Sequence, residues 1–206
     1  DAEIVASAVL VNYEKAIVLK PDLIITTDLT RPKTIDTFRK LGMEVLVFKN
    51  PTSFAEICEQ FIQLGEKVGK KEKAEAIIRD VKKRMELISQ KVHEDNPKQR
   101  LLMQIGAKPL FVVVPGTFMN DYIKLSATEN VFADLKMGSV NRETAIVRNP
   151  DIIVVVLIDA MNSEEKERWE EFDRLSAVEK NQVFTMNADN ACSPTPLSFV
   201  ETLEDL

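Results

Sequence analysis

A chain of 206 residues in which 45% are hydrophobic can bury a sizeable core, as one α/β domain or as two small lobes. The net charge of −6, with lysines scattered among glutamates, leaves no basic stripe for a nucleic-acid backbone. Two distant cysteines, Cys58 and Cys192, exclude a disulfide framework and a structural zinc site of CxxC type, and no apolar run is long enough for a membrane helix.

In chain order, residues 12–25 read as a short Asn-capped helix, a Pro-Asp break and an apolar strand over Asp22–Thr26. Thr30–Lys33 leads into a helix near Ile35–Leu41, stopped by Gly42, and Val45–Phe48 forms the next strand. Ser53 with Glu56 makes a capping box for a helix whose Phe54, Ile57, Cys58, Phe61 and Leu64 share one face, ending at Gly65 and Gly69. A longer helix from Lys70 to Val92 carries the stripe Ala74, Ile77, Ile78, Val81, Met85, Ile88 and Val92 and ends before Asn96-Pro97. At about 35 Å it is long enough to run between two lobes, and as a rigid connector it predicts small lobe movements. Beyond it, Asp151–Ile158 is a strand, Ser163–Phe172 a charged helix and Gln182–Met186 a strand. Such alternation predicts parallel sheet covered by helices.

The most informative feature is internal. NYEKAIVLKPDLII at 12–25 and NRETAIVRNPDIIV at 141–154 agree at eight of fourteen positions with a constant offset of 129. That period is too long for a solenoid and implies two similar lobes. The expected organisation is a lobe over 1–69, a connecting helix over 70–96 and a second lobe over 97–206.

Glu14 and Glu143 are equivalent in the repeats, each two residues after a capping Asn, where a carboxylate stabilises the helix dipole by roughly 0.3–1 kcal/mol. Ligand contacts are expected in loops at the sheet ends. The candidates are Thr27, Asp28 and Arg31, then Phe118, Met119 and Asn120, then Asp159 and Asn162, and finally Asn187 to Ser193. Arg31 offers a guanidinium to an anionic ligand. His93, the sole histidine, lies beside Glu94 and Asp95 and reads as solvated; Trp169 reads as core cover. No resident metal site is expected, because several His or carboxylate ligands would have to converge. Neither a Ser-His-Asp set nor an activated cysteine arrangement is present, and Gly106, Gly116 and Gly138 form no phosphate-cradling loop.

The segments NYEKAIVLKPDLIIT, RKLGMEVLVF and QLGEKVGKKEKAEAII, with QRLLMQIGAKPLFVVVPGTFMNDYIKLSATENVFAD, NRETAIVRNPDIIVV and RLSAVEKNQVFTM, resemble the periplasmic binding proteins whose lobes are joined by one long helix. The resemblance covers essentially the whole chain. It implies a substrate-binding protein of an ABC importer that carries a ferric siderophore, corrinoid or haem. It also implies an extracytoplasmic location, in the periplasm or lipid-anchored at the surface, and a monomer that meets a membrane permease dimer. Glu14 and Glu143 would then dock on permease arginines, one per subunit, and the cargo would be an intact metal chelate with no cofactor besides. Haem held by an axial Tyr would fall to Tyr122, since Tyr13 adjoins Glu14. The family normally has several tens of residues before the first repeat, so the N-terminal lobe is expected to be incomplete. The competing readings are a two-lobed enzyme acting on a tetrapyrrole or metal, of chelatase or nitrogenase-like type, and a ligand-sensing domain.

Overall fold

The computed structural model describes residues 12–92, 98–157 and 164–206. The expected helix stop at Asn96-Pro97, and His93, Asp159, Asn162 and Ser163, lie outside the described residues. The chain divides into two compact units, Asp1–Asn50 and Pro51–Leu206.

In the first unit, α1 (Tyr13–Val18) precedes β1 (Ile24–Thr27), α2 (Pro32–Lys40) and β2 (Val45–Phe48). β1 and β2 pair in parallel, Ile24 opposite Val45 and Thr27 opposite Phe48, with α2 as the crossover. Pro32 suits the first turn of α2, where its missing N–H costs nothing. Gly42 ends the helix at φ 82°, a conformation that penalises a Cβ. Ile35 and Phe38 are buried, and the Phe38 ring lies 5.4 Å from that of Tyr13.

The second unit begins with α3 (Phe54–Lys67) and α4 (Lys71–Lys91). Ser53 Oγ accepts from Glu56 N at 3.3 Å, and the Glu56 carboxylate accepts from Thr52 N at 2.7 Å, so the expected cap is present with its return bond shifted by one residue. Gly65 does not end α3. It sits inside the helix where a Cβ would meet the Ala74 Cβ at 2.7 Å, so its missing side chain lets α4 approach. The long helix α4 packs against α3 and against α10 (Pro196–Asp205) inside this unit, and the boundary between compact units falls at Asn50/Pro51.

There follow β3 (Arg100–Gly106), β4 (Leu110–Val112), α5 (Met119–Leu125), β5 (Glu129–Asn130), β6 (Ser139–Val140), α6 (Arg142–Arg148) and β7 (Ile152–Leu157). The chain closes with α7 (Glu165–Glu170), α8 (Ser176–Glu179), β8 (Val183–Asn187), α9 (Ala188–Ala191) and α10 (Pro196–Asp205). The sheet order is β6-β4-β3-β7-β8, with β5 also on β3. β3, β5, β7 and β8 are mutually parallel, as expected; among the described strands β4 alone is reversed, running antiparallel to both its neighbours, β3 and β6. The reason is local: three residues separate β3 from β4, enough for a hairpin and too few for a crossover.

Side chains alternate along the central strands, and both faces are buried. Leu101, Met103, Val154 and Val156 face Ile57 of α3, Tyr122 of α5 and Phe199 and Leu203 of α10. Leu102, Ile153, Val155 and Val183 face Ala145 of α6, Trp169 of α7 and Ala177 of α8. The result is an α/β arrangement of helices on both sides of a sheet. Among the described residues no helix is long and apolar enough to cross a membrane.

Candidate functional site

The repeat is a structural one. In each unit an Asn side chain caps a short helix by accepting a backbone N–H three residues on: Asn12 from Lys15 N at 3.0 Å, Asn141 from Thr144 N at 2.8 Å. Each helix buries one alanine, Ala16 or Ala145. Each is closed by a residue at φ 46°, Lys20 or Asn149, whose N–H bonds to the carbonyl three residues back, Ile17 at 3.2 Å or Ile146 at 3.0 Å. Pro21-Asp22 or Pro150-Asp151 then feeds the strand. Glu14 and Glu143 stand in the first turn of these two helices, and both are exposed.

The residue before each glutamate anchors its helix by different chemistry. In the first unit the Tyr13 hydroxyl shares a hydrogen bond of 2.8 Å with Thr34 of α2. In the second, Arg142 places its guanidinium 4.2 Å from the Trp169 ring centroid and donates to Glu165 Oε2 at 2.5 Å. Glu165 has no exposed surface, and it also accepts from Arg168 at 2.6 Å and Gln104 at 2.8 Å. Burial raises its pKa, but the bonds from Gln104, Arg142 and Arg168 outweigh that and hold the carboxyl below its ordinary value. Gln104 completes the cluster by accepting from Trp169 Nε1 at 2.6 Å. At the far end of α6, Arg148 donates to Val131 O at 2.7 Å and pairs with Asp134.

Asp151, the repeat aspartate of the second unit, accepts from Lys180 Nζ at 2.9 Å, Arg100 N at 3.0 Å and Ser176 Oγ at 3.1 Å. These bonds, the Lys180 one first, hold its carboxyl below the usual range.

The expected ligand contacts divide three ways. Thr27, Asp28 and Arg31 are exposed and lie together in the turn after β1, at the carboxyl end of the parallel pair; Asp28 N donates to Phe48 O at 2.8 Å and Thr30 N to Thr27 O at 3.0 Å. Asn187 and Ser193 flank α9 after β8, Asn187 as its cap, accepting from Asp189 N at 2.6 Å. Phe118, Met119 and Asn120 are instead buried at the start of α5. Phe118 and Met119 belong to the core cluster under α10, and the Asn120 side chain accepts from Asn130 Nδ2 at 2.8 Å, so none of the three faces a ligand. Tyr122 is corrected likewise. It has no exposed surface, stacks on Phe199 with ring centroids 4.4 Å apart, and burial pushes its hydroxyl well above the ordinary tyrosine range, which removes it as an axial haem ligand. Trp169 is fully buried, as core cover should be.

A cavity of 450 Å³ opens on the α10 side of the sheet, lined by Leu101, Ile152, Val154, Met186 and Leu206 and touched by Asn187. Sequence reasoning missed Arg142 and Glu165. The signal was faint: where the first repeat has Tyr13 the second has Arg142, with no hint of its partner 23 residues on.

Known proteins accord with this arrangement. A family model described as periplasmic binding protein matches residues 5–190. An uncharacterized ABC transporter substrate-binding lipoprotein of Bacillus subtilis, YvrC, is 26% identical over 95% of this chain and 64% of its own length. The vitamin B12-binding protein of Vibrio cholerae is 27% identical over 95% of this chain and 71% of its own. The crystal structure of a possible iron-binding, periplasmic solute-binding protein from Staphylococcus epidermidis superposes with a TM-score of 0.83 at 26% identity, covering 96% of this chain and 79% of that one. The chain thus spans just under two thirds of the Bacillus relative. With that family model covering both copies of the capped helix and its strand, the chain belongs to the periplasmic binding protein family.

Proposed function

We propose that this chain belongs to an extracytoplasmic substrate-binding protein that delivers a metal chelate, of siderophore, corrinoid or haem type, to an ABC importer. The observation that carries the reading is the duplicated helix with an exposed glutamate at the same place in each unit. Two equivalent carboxylates suit a membrane partner built from two equivalent subunits, each meeting one of them through a cation. The chelate class is supported by the relatives' names, which include vitamin B12-binding and possible iron-binding proteins. The exposed turn at Thr27, Asp28 and Arg31 is the first candidate for cargo contact, and the segment from Asn187 to Ser193 around α9 the second. Family membership argues for a binding protein rather than an enzyme.

Calorimetric titration of the full-length protein with cobalamin, haem and a panel of ferric siderophores tests the reading. Tight one-to-one binding of one chelate is expected; no binding to any of them overturns it. Arg31→Ala should weaken an anionic chelate and leave a neutral one unchanged.

A further inference from the structure

The glutamate does not stand alone on its helix. One turn further along, at the spacing that places two side chains on one helical face, each repeat carries a valine: Val18 in α1 and Val147 in α6. Both are among the most exposed large apolar side chains of the described residues, at 78% and 84%. Single exposed apolar residues are ordinary on protein surfaces and need no explanation. Here the same one occurs twice, at equivalent positions of two modules that agree in cap, buried alanine and closing turn, while the adjoining pairs Lys15/Thr144, Leu19/Arg148 and Lys20/Asn149 have diverged. A solvated helix gains nothing from a β-branched residue at that position, since valine is a poorer helix former than lysine, glutamate or alanine.

We propose that Val18 and Val147 are apolar contacts of the importer docking surface, so that each helix offers one permease subunit a carboxylate and, a turn away, a valine. The partner chemistry follows: on each of two equivalent subunits, a cationic side chain beside a shallow apolar recess. This rests on the docking reading of Glu14 and Glu143 and extends it. The carboxylate attracts at long range and governs encounter, while the valine acts only on contact and slows departure.

The test measures association and dissociation of the full-length protein with its cognate permease–ATPase complex in lipid nanodiscs, at low and at high salt. V18S/V147S should weaken affinity by about tenfold per valine through faster dissociation at both salt concentrations. V18T/V147T, which keeps the branched shape, should fall in between. E14Q/E143Q should instead slow association and flatten the salt dependence. Both valines are exposed, so melting temperatures should be those of the wild type. Wild-type binding by V18S/V147S beside impaired E14Q/E143Q would overturn the inference and leave the docking reading standing. Wild-type binding by both variants would remove the docking reading itself. A wild-type dimer in sedimentation that V18S/V147S turns to monomer, with transporter affinity unchanged, would assign the valines to a second copy of the chain and overturn the proposal.

Discussion

Replacing Glu165 with leucine should be the most damaging conservative-volume change in the second unit. The carboxylate is wholly buried and accepts from Arg142, Arg168 and Gln104. Removing it strands the Arg142 guanidinium, whose Nη1 is already buried without a hydrogen-bond partner. Breaking a buried ion pair from one side costs about 3–5 kcal/mol. Two charged hydrogen bonds at roughly 1.5–3 kcal/mol each, less about 1–2 kcal/mol regained by burying leucine, lead to a similar figure. With a urea m-value of about 2 kcal/mol/M, the midpoint should fall by about 1.5–2.5 M. Trp169, the only tryptophan, lies in the same cluster, so its fluorescence reports this unit's unfolding directly. The double variant R142M/E165L removes both charges together and should recover at least half of the loss. A midpoint for E165L within about 0.3 M of wild type, or a double variant as unstable as the sum of the singles, would refute the assignment of an energetic ion-pair cluster here.

Gly65→Ala should destabilise by about 1–3 kcal/mol although alanine is the better helix former, because its Cβ would press on Ala74 at 2.7 Å; in thermal melts G65A/A74G should regain most of the loss. Asp151→Asn should cost about 1–2 kcal/mol at neutral pH. Since the folded pKa of Asp151 lies below its unfolded value, its stabilisation is complete above the unfolded pKa of about 3.9 and is lost as pH falls through the folded one. The gap between wild type and variant in urea midpoint should therefore be constant near neutrality and close in acid; a gap independent of pH would refute the attribution.

Strong local signals survived into the structure. Val45–Phe48 and the Ser53 cap fall where the pattern places them, β7 begins one residue later than its expected start, and β8 is displaced from its expected span by one residue. The losses have physical causes. β5 and β6 are two residues long and carry no period to detect, and the turn after β3 rather than any strand sequence makes β4 antiparallel. Phe118–Asn120, expected in a loop at a sheet end, instead open a helix, because the apolar pair packs into the core beneath α10 and the Asn120 side chain is satisfied by Asn130. Gly65 reads as a stop signal until its neighbour Ala74 is known. The Glu165 cluster joins β3, α6 and α7, a tertiary fact with no local trace.

The twice-used helix and turn also make the molecule its own control. A substitution made at one copy and then at the other meets the same cap, the same buried alanine and a closing residue in the same left-handed conformation, but a tyrosine anchor in one place and an arginine anchor in the other. Whatever effect the two sites share belongs to the module, and whatever differs belongs to its surroundings. Intrinsic and contextual contributions can be separated within a single polypeptide.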